Sequence, residues 1–423
     1  MRPLWLLALL AGCGGYDPGG VPLDAGGDGA QHCLAVHDAG GPFISSSTRT
    51  VWEEEPHVAA AAGSVVASFI DIFPDHNSSI GFAVSHDDGA TWKKPGQIDS
   101  PGARIASDPV LAADSHGTFY LSWVGYRHDA SGNTNDMHVY VSRLDPTTDA
   151  FLAPVEASSG EPTLQLDKPW ITVDRNDDVL LTWEDGTNGN FLQFARSADQ
   201  AATFSRSVIA VASSEFFNLA FPCLDRSAPG PLYVVTSASQ HGVVVFESED
   251  GGAHFARRPE LASDAVFHDP TCVVRAGEVW VSYDVGSADY AADLAPPARA
   301  VRVAHSPDRG QSIDRNVTVS DGPAGTQYNL STLALSGSVL ELVYYQGHID
   351  FDATLERATS TDGGITWMHE TLAHPGAFTT ARGLPCFPGD YIGTVLVGGG
   401  LYIAYSDNNA GRAHTSFLRA SSP

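Results

Sequence analysis

Asp108, Asp167 and Asp390 each stand at the head of an apolar stretch. The three contexts are Asp108-Pro109-Val110-Leu111-Ala112-Ala113, Asp167-Lys168-Pro169-Trp170-Ile171 and Asp390-Tyr391-Ile392-Gly393. A carboxylate can hold or deliver a proton, and the hydroxyl of Tyr391 can act as a nucleophile or its ring as a platform for a sugar. Groups suited to holding a polar ligand accompany them: Arg104, Lys168, His57, His268, Tyr345 and Arg382. Carboxylates, His, Tyr and Arg in one place could bind and hydrolyse a sugar. Plainer roles are open to the same residues. Asp167 and Asp390 could cap turns by accepting backbone N–H groups. Lys168 could pair with a nearby carboxylate; it is one of three lysines, with Lys93 and Lys94. Trp123, Trp170, Trp183 and Trp280 sit in strand patterns and are expected in the core. No short ligand spacing marks a metal site, and Asp71 to Asp75 lacks the alternating oxygen pattern of a calcium loop. No metal or other cofactor is therefore expected.

Composition narrows the partners. The 423 residues carry a formal net charge of −27. Such a polyanion is repelled by phosphate backbones and anionic lipid head groups, which argues against nucleic acid as a partner. With 42 Gly and 26 Pro, turns are many and long helices are not expected. Hydrophobic residues, at 43%, suffice for a sizeable core.

Residues 1–12 read as a targeting segment rather than part of the fold. Arg2 is followed by Leu4-Trp5-Leu6-Leu7-Ala8-Leu9-Leu10, an apolar run too short to span a bilayer. Leu10-Ala11-Gly12-Cys13 resembles the bacterial lipobox, which implies lipidation of Cys13. An ordinary secretory signal with a chance cysteine is the alternative. Residues 13–31 are rich in Gly and Asp and read as a tether. The chain is thus expected at the bacterial cell envelope, through the outer membrane, with the lipid as its membrane contact. Residues 32–423 form the folded unit, expected to be a monomer.

Internal repeats supply the elements that must position the candidate groups. Ser85-His86-Asp87-Asp88-Gly89-Ala90-Thr91-Trp92 recurs at 248–255 and 360–367, and in weaker form at 197–204 and 306–313. An eroded copy with an insertion lies at 142–151. The Asp can accept backbone N–H groups inside a tight turn, Gly supplies a positive φ, and the aromatic ring folds back onto the sheet. A short apolar strand precedes each turn, with about two more before that. Each unit then reads as four antiparallel strands in roughly 50 residues, the size of a propeller blade. First strands begin near Pro56, Pro109, Pro169, Pro222, Pro270, Ser331 and Tyr391. The expected fold is an all-β propeller of seven four-stranded antiparallel blades, with six as the alternative count. The last unit has three strands of its own, and a strand near Phe43 to Val51 could complete it. The loops entering each first strand, and those joining second to third strands, face away from the repeated turns. Besides the groups named above, they carry Glu53, Glu54 and Glu55, Glu184 and Asp185, Phe217 and Asn218, and Asp269.

The repeated turn is similar to the Asp-box, or BNR repeat, of sialidases, over about residues 50–420, and the strand-start phrases look like those of bacterial sialidase-like lipoproteins. The resemblance implies a propeller with Asp-boxes on the periphery, away from the active face. It also implies a search for three carboxylate-clamping arginines, a Tyr nucleophile paired with Glu, and an Asp acid/base. Where the family usually has Arg-Ile-Pro near the first blades, this chain has Arg104-Ile105-Ala106 in the second. Arg382 is a second clamp candidate, and Tyr391 or Tyr345 the nucleophile. Seven units also depart from the six blades of typical sialidases. The implied function is a surface propeller that binds a glycan, its enzymatic form being a glycoside hydrolase of sialidase type or a polysaccharide-active relative, hydrolase or lyase. The alternative is a propeller that binds a glycan or a protein without catalysis.

Cys33, Cys223, Cys272 and Cys386 remain after Cys13, an even number suited to disulfides in an exported protein. Cys223 and Cys272 sit on first strands of adjacent units with side chains on opposite blade faces, which face each other. A Cys223–Cys272 bridge between blades is expected, leaving Cys33 and Cys386 to pair near the ring closure.

Overall fold

The computed structural model describes residues 52–423 apart from 76, 94, 129–133, 159–164, 188–189, 213–214, 240–241, 263–268, 287–297, 321–325, 348–351, 379–386 and 410–411. Alternating apolar and polar residues, broken every few positions by Gly-containing turns, can satisfy their backbone only by pairing with neighbouring strands. The described residues accordingly form 28 strands, every pairing antiparallel, in seven blades. The innermost strands are Trp52–Ala61, Ile105–Ala113, Leu166–Val173, Phe217–Cys223, Thr271–Arg275, Gln327–Ser336 and Gly393–Val397. Each contacts the next, and the seventh contacts the first, so the ring closes around a central channel. The six-blade alternative is thereby set aside. Three strands of the seventh blade are described. The segment from Phe43 to Val51 expected to complete it lies outside the described residues, as do Cys13, Cys33 and Cys386.

The core lies between blades. Trp123, Trp183 and Trp280 are almost wholly buried, and Trp170 is buried beside them. The Asp-box turns hold this interface from outside. In the first, Ser85 Oγ donates to Asp87 Oδ1 at 2.7 Å, Gly89 N donates to Ser85 Oγ at 2.9 Å, and Thr91 donates to Asp87 through N (2.8 Å) and Oγ1 (2.6 Å). The same bonds recur around Asp199, Asp250, Asp308 and Asp362, with His254 replacing Thr in the third. The side-chain bond from Thr91, ahead of that from its backbone, holds the Asp87 carboxyl down to about 2.

The Asp-box aromatic packs in a cluster shared by its own sheet and the neighbouring blade. Trp92 of the first blade meets Phe417 of the seventh, ring centroids 4.9 Å apart, and Phe255 of the fourth meets Phe194 of the third at 5.4 Å. The reason is space: a Cβ at Gly89 would lie 2.1 Å from the Phe417 ring, so the glycine admits the adjacent blade. Asp88 N donates to Gly63 O, which puts the Asp-box beside the far end of the innermost strand. The first halves of the innermost strands therefore belong to the opposite side.

Cys223 and Cys272 form a disulfide between the innermost strands of the fourth and fifth blades, Cα atoms 5.9 Å apart. The bridge closes a chain segment of 49 residues, worth about 4 kcal/mol in the loop-entropy model. Replacing both cysteines by Ser should lower unfolding free energy by about 2–4 kcal/mol in a denaturant titration. A double variant as stable as the parent would show that the blade contacts alone hold this joint.

Candidate functional site

Five of the seven innermost strands carry the same irregularity. Two residues oppose one on the neighbouring strand, between Glu54 and His57, Ser107 and Val110, Asp167 and Trp170, Asn218 and Phe221, and Asn329 and Thr332. The first extra residue is left-handed each time: Glu55 (φ 53°), Asp108 (φ 56°), Lys168 (φ 47°), Leu219 (φ 59°) and Leu330 (φ 59°). In the first three blades proline follows, whose missing N–H costs the ladder nothing at a bulge. A non-glycine residue held at positive φ costs on the order of 1 kcal/mol or more, and such strain collects at functional sites. Here the bulge re-aims one charged side chain per blade.

These side chains meet in the channel. Lys168 Nζ lies 2.7 Å from Asp390 Oδ2 and 3.5 Å from Asp269 Oδ2. It thus joins the third blade to the segments leading into the seventh and the fifth. Asn218 Nδ2 donates to Asp269 Oδ1 at 2.7 Å, which brings in the fourth blade. Asp108 N donates to Glu55 Oε2 at 3.1 Å, and Leu219 N donates to Glu184 Oε1. Glu55, Asp108 and Lys168 are buried, whereas Asp167, Glu184, Asn218, Asp269 and Asp390 are partly exposed. The side chains of Asp269 and Asp390 are only 9% and 10% exposed, so the Lys168 ion pairs are close to sealed. Removing the lysine would strand buried carboxylates, at about 3–5 kcal/mol.

Burial, then the charge of Asp167, pushes the Asp108 carboxyl up to about 8. Burial, then Asp108 and Asp390, raises Glu55; burial, then Asp167, raises Glu184. In all three, nearby Lys168 opposes the rise. Asp108 Oδ2 accepts from Ser107 Oγ at 2.7 Å, while Oδ1 is buried with no hydrogen-bond partner among the described residues.

The other candidates fall into place around this cluster. His57 accepts from Leu111 N through Nδ1 at 3.1 Å, and burial lowers its imidazole to about 3, so it is a neutral packing group. Its ring stands edge-on to Trp170 and Tyr391, 5.4 and 6.1 Å away. Tyr391 adjoins the cluster, but its hydroxyl donates to Pro109 O at 3.0 Å. Burial, followed by the charges of Glu55 and Asp108, raises its phenol well above the ordinary value, opposite to the need of an ionised nucleophile. Among the described residues no arginine contacts it. Arg104 is exposed, and its side chain makes no described contact with the cluster. Tyr345 is spent elsewhere: its hydroxyl donates to Ser406 O at 3.1 Å and accepts from Ser406 N at 2.8 Å. His268 and Arg382 lie outside the described residues.

Glu55, Glu184, Asn218 and Asp269, which the sequence places on the same loops without a role, join Asp108, Asp167, Lys168, Asp390 and Tyr391 at the site. A usable signal was present. Glu55-Pro56, Asp108-Pro109, Lys168-Pro169 and Asp269-Pro270 put a charge before proline at the head of four innermost strands. The seventh replaces this with Gly389-Asp390-Tyr391. A Cβ on Gly389 (φ 92°) would lie 2.4 Å from Glu55 N, and one on Gly393 2.4 Å from His57 Cα. Both glycines let the last blade close on the first bulge.

The Asp108 carboxyl keeps its proton to about pH 8 when folded, against 3.8 for a free carboxyl. The unfolded chain releases that proton from about pH 4 upward, so stability falls as pH rises from 4 to 8. Asp108→Asn, which carries no titrating group, should melt at least about 2 °C higher than the parent at pH 8, with a shallower slope from pH 4.5 to 8. An unchanged slope in calorimetry would show that Asp108 is ionised in the fold.

No family model and no curated protein matches the sequence. Solved structures match in shape. A Dyadobacter fermentans protein of unknown function aligns with a TM-score of 0.55 at 14% identity, over 92% of this chain and all of its own. The Hadza microbial sialidase Hz136 aligns at 0.55 and 14% identity, over 88% of this chain and 66% of its own. The polysaccharide lyase PL25, an ulvan lyase bound to -[GlcA(1-4)Rha3S]-, aligns at 0.55 and 11% identity, over 90% and 94%. Likeness at such identities establishes a shared fold: this chain is a propeller of the kind that sialidases and a polysaccharide lyase also use.

Proposed function

We infer that this protein is an exported, lipid-anchored propeller whose channel face, away from the Asp-boxes, binds a glycan. The observation that carries the reading is the convergence of Asp269 and Asp390, both close to buried, on Lys168 in the channel, with half-exposed Asp167, Glu184 and Asn218 beside them. Carboxylates fixed in this way accept strongly from hydroxyl donors, and a sugar presents hydroxyls around its ring. Sharing a fold with two kinds of glycan-active enzyme supports the same reading, as an analogy of fold alone.

Binding without turnover fits the described residues best. The phenol of Tyr391 is neutral and committed to a carbonyl, and no arginine clamp surrounds it among the described residues. A second reading, glycoside hydrolysis by a carboxyl pair, is favoured by Asp108, which holds its proton at neutral pH as a general acid must. Its complete burial keeps it from a substrate in this conformation.

Soluble protein from residue 32 onward, screened against a panel of oligosaccharides, should bind at least one of them without releasing sugar. Chromatography that detects released sugar would select the hydrolytic reading. A folded protein that binds no oligosaccharide would refute the glycan reading.

The lipobox-like Leu10-Ala11-Gly12-Cys13 supports attachment of the mature chain through Cys13, with residues 14–31 as tether. In a bacterial host, the full chain should incorporate an alkyne fatty acid and sediment with membranes. Cys13→Ser should abolish labelling and move the protein to the soluble fraction. Equal labelling of both chains would rule out Cys13 as the anchor.

A further inference from the structure

The seventh blade has an edge that its described neighbours do not cover. Each of the other six blades has an outer, fourth strand among the described residues. The seventh ends at His414–Ser421, paired on one side with Gly400–Asp407. Outer strands elsewhere are open to solvent over much of their length. Val211 is 66% exposed on that of the third blade, Met368 63% on that of the sixth, and Ala256 and Arg257 are both exposed on that of the fourth. His414, Thr415, Ser416 and Phe417 are instead buried, as residues of a third strand such as Gly242–Ser248 are. Something therefore lies along this edge.

The backbone shows which groups it must satisfy. Ala413 O accepts from Glu53 N at 2.9 Å, Thr415 N donates to Glu53 Oε2 at 2.6 Å, and Ser421 O accepts from Arg357 Nη2 at 2.9 Å. These groups point away from Gly400–Asp407, and the alternation of an antiparallel ladder turns those of Phe417 and Arg419 the same way. Buried N–H and C=O groups are almost always paired, yet no strand among the described residues lies on this side.

The chain's own N-terminal side fits the place. Glu53 rests against the first residues of the edge, so the residues before it, followed backwards, set off along His414–Ser421 in the antiparallel sense of every described pairing. Residues 43–51 span about 30 Å as a strand, enough for the eight residues of the edge. Their sequence is Phe43-Ile44-Ser45-Ser46-Ser47-Thr48-Arg49-Thr50-Val51, without Gly or Pro and rich in β-branched and hydroxyl side chains. The outer strands Ser205–Ala212 and Arg315–Ser320 have a similar make-up. Gly40-Gly41-Pro42 supplies a break just before. A strand from another molecule would compete with a segment already delivered to the edge by Glu53.

We propose that residues 43–51 add to the His414–Ser421 edge as the outer strand of the seventh blade, so that the chain enters the ring from the Asp-box rim. Arg419 Nη2 lies 3.7 Å from Asp88 Oδ2 in the first Asp-box, and the Tyr402 hydroxyl donates to Asp88 Oδ1 at 2.9 Å. Position 43 falls at that end of the edge, and position 51 at the end beside Ala413. On the lipid-anchor reading, the tether from Cys13 then starts on the side opposite the channel cluster and leaves the channel mouth clear.

Hydrogen exchange followed by mass spectrometry on the full chain in detergent tests this. Peptides from 43–51 should exchange at least about a hundredfold more slowly than peptides from 14–31, and those from 414–421 should lie within about tenfold of Gly242–Ser248. The double variant Thr48→Pro/Arg49→Pro removes a ladder N–H whichever way the strand faces. It should speed exchange across 414–421 at least about tenfold and leave Gly242–Ser248 unchanged. Ala25→Pro/Gly26→Pro, in the tether, should change neither. Exchange of 43–51 as fast as that of 14–31 in the parent chain would overturn the proposal, whether or not the proline variant folds. Edge protection that survives the two prolines would overturn it as well. A protected edge with a freely exchanging 43–51, in a protein that sediments as a dimer, would assign the cover to a second copy instead. These readouts need no ligand and no lipid, so they leave the glycan and anchor readings to their own tests.

Discussion

A single ammonium group held between carboxylates from different blades is the interaction on which the centre of this molecule depends. Lys168 joins the third blade to Asp390 and Asp269, which lead into the seventh and fifth. Around it, Asn218, Glu55, Asp108 and Glu184 tie their blades together through bonds to side chains and backbone. A ring of blades needs contacts across its channel as well as around it, or the channel fills with water. Here a lysine plugs it. Burying that lysine is tolerable because Asp390 and Asp269, with side chains close to buried, compensate its charge.

The bulges explain how such charges come to face one another. A regular strand alternates its side chains between blade faces and sends none along the channel. Two residues set against one break the alternation at a single point, and a left-handed residue there aims its side chain anew. The same device recurs with Leu219 and Leu330, so the bulge belongs to the architecture and the residue placed on it belongs to function. Glu55, Asp108 and Lys168 are charged where those two are apolar, so the bulges of the first three blades supply charge and those of the fourth and sixth do not.

The periphery obeys a different logic. Each Asp-box satisfies its own turn, and those of the first and fourth blades also set an aromatic ring against the neighbouring blade, so packing holds the outer rim there and charge the inner rim. The Cys223–Cys272 bridge ties two of the innermost strands together. It joins the strands that carry Asn218 and lead from Asp269, and so fixes the two partners of one hydrogen bond in the cluster.

Much of this was legible in the sequence. The Ser-x-Asp-x-Gly-x-x-aromatic turn is a local device, satisfied by residues within five positions of one another, so its recurrence counts units and marks one face without any tertiary knowledge. The seven strand starts follow from the same local punctuation, and the alternation of residues around Cys223 and Cys272 indicated facing side chains. Asp108, Asp167, Lys168, Asp390 and Tyr391 could be picked out as a group because all lie where a strand begins. What each does could not be. His57 looks like a ligand-holding group in sequence and is a neutral packing group, because burial is a property of the assembled ring. Tyr391 looks like a nucleophile and is a bound donor, because the carbonyl of Pro109 comes from another blade. The pairing of Lys168 with Asp390 spans 222 residues of chain. No spacing rule reaches that far; only ring closure brings the two together, and with them the burial and charge that decide the chemistry of the channel.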